Sequence, residues 1–409
     1  MNNQEIWLED STAEVNQQPP VLSIVVPALN EELTIGEFVQ WCLQGLSAAD
    51  IHGEIIIVDS SSDDTARLAL QSGAKVLHVP KRGLGRAYID ALPFVQGKWL
   101  ILGDCDLTYD FRELIPFIEK FNSGFDFIMG SRMAGFIEPG SMPPLHRFFG
   151  TPLTTWILNQ MFSTHYSDIH CGMRGITYDA MKKMSLQSQG WEYASEMVLK
   201  AAQLKLKIAE VPVKFYKDRD GRLSHHKRSG FLSPWLAGWV NLKAMFLYGS
   251  NALMIKPGLC FLFLGLLLSL PQFISGKVWQ LGSVHFALSW MLLGVCLSVS
   301  GLQALCLGLL SLSINDLTGK SIARFSQIFS YNRSVLTCFL VMGAGIVFCF
   351  PLLNHYLHDG LKLQSVTSQQ DLFYAVGGIM LFLLGFTFFS FTLILHSLCI
   401  KNKNPSSLM

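Results

Sequence analysis

What this chain lacks is charge, and it lacks it in blocks. Only 15% of its residues are Asp, Glu, Lys or Arg, which is low for a soluble protein. From Pro257 to Gly276, Val278 to Asn315, Ser334 to His358 and Leu372 to Ile400 there are none at all. A hydrocarbon core about 30 Å thick takes roughly 20 helical residues, so each block is long enough to cross a bilayer. Four transmembrane helices are predicted within 255–400, the alternative being buried helices of a large soluble core. Other absences exclude other classes. Residues 1–20 hold no apolar run of the signal-peptide kind and read as a disordered lead-in. None of the nine cysteines forms a CxxC, and six lie in the apolar blocks, so they read as small hydrophobes in a reduced compartment. A net charge of +1 speaks against a nucleic-acid partner.

Where charge does occur among the apolar blocks it is lopsided. Lys320, Arg324 and Arg333 stand between the second and third blocks and Lys401 and Lys403 follow the fourth, whereas Lys362 is offset by Asp359 and Asp371 between the third and fourth. The positive-inside rule then puts residues 21–230, the middle loop and the tail 401–409 in the cytoplasm, and the protein is expected to be a multi-pass protein of the plasma (inner) membrane.

Residues 21–230 alternate short apolar runs with helical stretches. Strands are predicted at Val21–Val26, Glu54–Val58, Lys75–Val79, Lys98–Leu102 and Phe125–Met129, with helices over Glu31–Leu46 and Thr65–Ser72. That rhythm implies a doubly wound, mostly parallel α/β sheet, in which ligands bind beyond the carboxyl ends of the strands. Four strands end in polar sets there: Pro27-Ala28-Leu29-Asn30-Glu31-Glu32, Asp59 to Thr65, Lys81-Arg82-Gly83-Leu84-Gly85-Arg86 and Asp104-Cys105-Asp106. Each alone is an ordinary cap or turn. Two carboxylates one residue apart behind a buried strand stay ionised only if a cation or several donors compensate, so Asp104 and Asp106 either hold a metal or cap the next loop.

These segments, with Val58-Asp59, Gly130-Ser131-Arg132 and Asp168-Ile169-His170-Cys171-Gly172-Met173-Arg174, stand in the order seen in glycosyltransferase family 2. The chain resembles its dolichyl-phosphate mannose synthase and polyprenyl-phosphate glycosyltransferase branch over roughly residues 20–230. The resemblance implies a GT-A fold, Mg²⁺ or Mn²⁺ as cofactor, and inverting hexose transfer from a nucleotide-diphosphate sugar to a polyprenyl phosphate. It implies Asp106 as metal ligand, Asp104 on metal or ribose, and Pro27, Leu29, Glu31, Asp59 and Gly85 on the nucleotide sugar. It places Arg132, Arg147 and Thr151 at the acceptor phosphate, Asp168 and Arg174 at the pocket floor, and Arg222 in a basic loop, Gly221 to Arg228, that closes over diphosphate. Glu196, four residues after Glu192 on one helix face, is a candidate base or sugar-hydroxyl acceptor. One departure stands out: Ser60 replaces the second Asp of the usual pair after the second strand, and Thr65 arrives one residue early.

Phe231, Trp235, Trp239, Leu242 and Phe246 make an apolar stripe at helical spacing, predicted as an amphipathic juxtamembrane helix over 231–254, with a plain core helix as the alternative. The basic loop before it also suits anionic lipid. Zinc is not indicated, because His170-Cys171 and His225-His226 each lack a second ligand pair. Partners expected are the nucleotide sugar, the lipid phosphate and the membrane, with a homo-oligomer left open. Two other functions remain: transfer to a lipid hydroxyl, which needs a general base, and a catalytically inactive transferase-like membrane subunit.

Overall fold

The structure, a computed structural model, describes residues 6–10, 18–219, 221, 239, 243, 246, 248–316, 319–358 and 369–403. It divides into two compact units, Met1–Leu247 and Tyr248–Met409.

The first unit is built on an eight-stranded sheet: β1 Trp7–Glu9, β2 Leu22–Ala28, β3 Gly53–Asp59, β4 Lys75–His78, β5 Trp99–Leu102, β6 Phe127–Ile137, β7 Arg174–Thr177 and β8 Ile208–Phe215, in the order β1-β4-β3-β2-β5-β7-β6-β8. The four strands β4, β3, β2 and β5 run parallel, as do β6 and β8, while β7 and β1 pair antiparallel with their neighbours. Helices α1 Ile35–Ala48, α2 Thr65–Gln71 and α3 Leu84–Ala91 make the crossovers. β2 is apolar along nearly its whole length because both its faces are covered. From β2 the chain steps outward through β3 to β4, then returns to set β5 on the other side of β2. The crevice beyond the ends of β2 and β5 is therefore the topological switch point, where such sheets bind ligands.

The expected doubly wound, mostly parallel sheet is present, with local differences. Trp7–Glu9, inside the expected disordered lead-in, forms an edge strand: it pairs with β4, and the Trp7 ring stacks on His78 at 4.6 Å. Without it the backbone of β4 would be an open edge. The helix expected from Glu31 begins only at Ile35, because Asn30 takes a left-handed φ of 57° and Thr34 N–H turns back to the Glu31 carbonyl. β6 runs eight residues past the expected end at Met129, through an irregularity between Ser131 and Phe136 opposite β8.

In the second unit, four helices are long and apolar enough to cross a membrane: Asn251–Ser275, Leu288–Ile314, Tyr331–His358 and Gln369–Ile400. A short hairpin, Trp279–Leu281 with Val284–Phe286, joins the first two. The first and second pack closely where Gly265 meets Ser298, and the third and fourth where Gly345 meets Gly378; small residues permit that approach in the absence of a hydrophobic driving force. Of the juxtamembrane helix expected over 231–254, Trp239, Lys243, Phe246 and Tyr248 are helical, the other positions of 231–247 lie outside the described residues, and Asn251 already belongs to the first apolar helix.

Candidate active site

Two loops close one side of the switch point and are tied to each other. Asn30 N–H donates to Ser61 Oγ (2.8 Å), Ser62 N–H to Asn30 Oδ1 (2.9 Å), and Glu31 N–H to Thr65 Oγ1 (2.9 Å). The left-handed turn at Asn30 thus spends its backbone on the loop after β3. Asp59, the last residue of β3, is 5% exposed. Its Oδ2 accepts from Ser61 N–H at 3.3 Å, while Oδ1 is buried with no partner among the described residues. Burial raises its pKa against the opposing Ser61 hydrogen bonds. A buried acceptor without a donor is costly, which makes this atom a candidate to receive one from a ligand.

Asp104 and Asp106 follow β5 directly, beside β2: Cys105 Sγ lies 3.5 Å from the Pro27 carbonyl. The two carboxylates have different surroundings. Asp106 Oδ1 accepts from Thr108 N–H (3.0 Å) and from the Thr108 hydroxyl, a local turn that puts Leu107 at φ 62°. Asp104 instead lies against Gly172, where a Cβ would stand 2.5 Å from Oδ2, so any larger residue would push the carboxylate aside. Tyr109 fixes that approach by accepting from Gly172 N–H at 2.8 Å. Asp110 is no third member, since Arg112 grips it with Nε (2.7 Å) and Nη2 (2.8 Å).

Among the described residues no group of three or more His, Cys, Asp or Glu is placed to hold a metal. The two aspartates suit a hard divalent cation that takes its other oxygens from water and from a bound diphosphate, the usual way Mg²⁺ is held.

Arg132, on β6, is buried and faces Asp168: Nε donates to Oδ2 (2.7 Å), Nη2 to Oδ1 (2.9 Å), and the Arg132 N–H to Oδ2 (3.2 Å). Burial lifts the Asp168 carboxyl, but Arg132 outweighs it and holds the group below the usual range. His170 is kept neutral, its pKa driven down to about 4 by burial, and its Nε2 meets Thr154 Oγ1 at 2.8 Å.

A family model described as glycosyl transferase family 2 matches residues 23–185. The low-salt glycan biosynthesis hexosyltransferase Agl6 of Haloferax volcanii is 35% identical over 340 residues, 80% of each chain. The chain belongs to glycosyltransferase family 2. Its doubly wound sheet, with the carboxylate pair at the switch point, has the GT-A arrangement. The dolichyl-phosphate hexose transferase of the same organism is 27% identical, over 49% of this chain and 84% of its own. Among solved structures, glucosyl-3-phosphoglycerate synthase from Mycobacterium tuberculosis, crystallised with Mn²⁺, uridine diphosphate and glucosyl-3-phosphoglycerate, has 20% identity and a TM-score of 0.43, over 56% of this chain and 80% of that one.

Other residues singled out from the sequence in this family 2 chain have surroundings of their own. Gly85 is accounted for by packing: a Cβ there would stand 2.3 Å from the Ser188 carbonyl oxygen. Glu196 is fully buried, accepting from Gln187 and Ser188 N–H groups and pairing with Lys200 at 2.6 Å. It anchors the loop that covers Gly83 and Gly85, and both its carboxylate oxygens already have partners among the described residues. Arg174 does not meet Asp168; its guanidinium donates to the carbonyls of Cys171, Ala194 and Ile169. Arg222 lies outside the described residues.

Arg147 and Thr151 sit one turn apart where a π-helical turn, His146–Gly150, runs into α4, Thr151–Phe162. Of the eight described arginines in the first unit, Arg67, Arg82, Arg86, Arg112, Arg132 and Arg219 pair with carboxylates and Arg174 with carbonyls. Arg147 alone among them has no such partner, resting over the Phe148 ring at 5.5 Å. Sequence reading missed Tyr109 and the Tyr88–Tyr193 ring pair (5.0 Å) behind Asp104. Aromatic residues inside a core carry no motif to reveal them.

Proposed function

We propose that this glycosyltransferase moves a hexose from a nucleotide-diphosphate sugar to a polyprenyl phosphate, inverting the anomeric carbon. The observation that carries the proposal is the Asp104-Cys105-Asp106 carboxylate pair at the switch point of a chain that also bears four membrane-length helices. The name of the dolichyl-phosphate hexose transferase relative supports the acceptor class.

On the donor side, Asp59 Oδ1 receives a base N–H, with Pro27, Leu29 and Glu31 lining base and ribose and Gly85 shaping the loop beside them. Asp106 holds Mg²⁺ or Mn²⁺ together with the diphosphate, and Asp104 reaches metal or ribose. Bound there, the metal acts as a Lewis acid toward the leaving diphosphate. Arg222 belongs to the basic loop over the same diphosphate. On the acceptor side, Arg147 and Thr151 hold the lipid phosphate, while Arg132, fixed by Asp168, contributes its charge from the pocket floor beside Arg174. A phosphate monoester, with a second pKa of about 6, is already largely ionised at neutral pH and attacks without losing a proton to a side chain. The saturated environment of Glu196 agrees with that, since a lipid hydroxyl acceptor would need a base.

The experiment that tests the donor side is Asp59→Ala, expected to raise the KM for nucleotide sugar about tenfold by removing a buried acceptor. Because burial raises the Asp59 pKa, protonation competes with donor binding at a higher pH than at an exposed aspartate. KM for the nucleotide sugar should therefore climb as pH falls toward that range, and Asp59→Asn should flatten the dependence. An unchanged KM in Asp59→Ala would remove the nucleotide from this pocket. On the acceptor side, Arg147→Ala is expected to raise the lipid-phosphate requirement roughly ten- to a hundredfold, leaving the KM for nucleotide sugar alone.

We also propose that the chain crosses the plasma (inner) membrane four times, with the 21–230 domain and both termini cytoplasmic. Reporter fusions after Asn315 and at the C-terminus should then report cytoplasm, and a fusion near His358 the opposite face.

A further inference from the structure

The edge strand β1 reaches the donor side of the site through one residue of β4. Antiparallel pairing sets Trp7 opposite His78 and Leu8 opposite Leu77. Successive side chains of a strand leave opposite faces, so Trp7, Glu9 and His78 share one face and Leu8 points to the other. On the shared face the Trp7 ring stacks on the His78 imidazole at 4.6 Å, with 18° between the planes, and His78 Nε2 lies 3.0 Å from Glu9 Oε2. An ionised carboxylate can only accept, so Nε2 carries the hydrogen and donates it. At the far end of β4, Lys75 meets both Asp10 (3.3 Å) and Glu54 of β3 (3.0 Å). β1 is thus pinned at both ends.

The parallel register of β3 and β4 carries the row one strand further. Asp59 ends β3 directly opposite His78, which ends β4, and Val79 N–H donates to the Asp59 carbonyl at 2.9 Å. Partners in a ladder put their side chains on the same face. Trp7, His78 and Asp59 therefore form one row across β1, β4 and β3 at the carboxyl end of the sheet, and on the other side of Asp59 the opposing residue of β2 is Ala28, which has no charge.

We infer that β1 belongs to the donor site: it holds the His78 imidazole beside Asp59 and so makes His78 a positioning residue for the carboxylate that takes the nucleotide base. The inference rests on Asp59 as the base acceptor. Charge supports it. Burial is the larger influence on Asp59 and raises its pKa, the Ser61 hydrogen bonds and the His78 ring oppose that rise, and Asp63 in the same loop adds to it. Positive charge on the ring favours an ionised Asp59, the form whose oxygens only accept.

The test is calorimetric binding of uridine diphosphate or guanosine diphosphate, whichever the parent binds more tightly, to the full chain with Mn²⁺, across about pH 5 to pH 8. Parent affinity should fall toward acid as Asp59 protonates. His78→Phe keeps a ring under Trp7 but loses the imidazole, so its fall should begin at a higher pH, leaving it about three- to tenfold weaker than the parent at the acid end and near parity at the alkaline end. Glu9→Ala, separated from Asp59 by the whole of β4, should move the profile the same way by about two- to threefold, the scale of an exposed pair. Leu8→Ala alters the same strand on its other face and should leave the profile in place while lowering stability. In an Asp59→Asn background neither His78→Phe nor Glu9→Ala should change affinity further. A His78→Phe profile that superimposes on the parent overturns the inference, as does an equal loss in the Asp59→Asn background or a shift in Leu8→Ala as large as that in Glu9→Ala. No turnover is needed, and the two failures are distinct: unchanged affinity in Asp59→Ala removes the base acceptor and this inference with it, whereas a loss in Asp59→Ala without one in His78→Phe removes the role of His78 alone.

Discussion

Asp106→Asn is expected to lower transfer by on the order of a hundredfold or more, the scale on which removing one preorganised electrostatic contact to a developing charge acts. The expectation follows from how few protein ligands the site offers: among the described residues no third carboxylate, imidazole or thiolate joins Asp104 and Asp106. Asparagine keeps the size and one acceptor oxygen, so the turn to Thr108 N–H can persist while the charge is lost. The variant should therefore insert and fold as the parent does, bind Mn²⁺ more weakly in the presence of nucleotide diphosphate, and fail in turnover. Full activity in purified Asp106→Asn would reduce Asp106 to a loop cap.

The largest effect on stability is expected at Asp168. Replacing it with Ala strands the Arg132 guanidinium in a buried setting, and breaking a buried ion pair from one side typically costs about 3–5 kcal/mol. Chemical denaturation of the full chain, followed by a probe in the first unit, measures it. The sign of the pH dependence follows from the depressed Asp168 pKa. Its stabilisation is present above the unfolded-state value and lost as pH falls through the folded-state value, so the parent should weaken in acid. Asp168→Ala should lack that part of the dependence. Replacing both partners by apolar residues of similar volume should recover much of the stability. Transfer should stay lost if the Arg132 charge serves the acceptor phosphate.

How far the sequence speaks for itself differs between elements. The strands β2 to β5 were legible because each is a short apolar run with a polar break behind it, and the four apolar blocks because a bilayer demands about 20 uncharged residues. β7 and β8 were not: one is four residues long and opens on an arginine, the other carries Pro212 in its middle. The carboxylate pair could be located because a strand end is a place sequence can identify. The partners of the arginines could not. Arg132 and Asp168 are 36 residues apart and meet only because β6 is a neighbour of β7. Glu196 shows the converse: helical spacing put it on one face with Glu192, but only the fold reveals that the face points into the Lys200 and Ser188 network.

The acceptor decides the central claim. Purified protein in vesicles is given radiolabelled nucleotide sugars, with polyprenyl phosphate, the corresponding polyprenol or diacylglycerol as the lipid. Label is expected to pass to the polyprenyl phosphate alone, in an acid-labile glycosyl phosphodiester, and Glu196→Gln should retain turnover wherever it folds. Labelling of polyprenol or diacylglycerol as efficiently as the phosphate would contradict it.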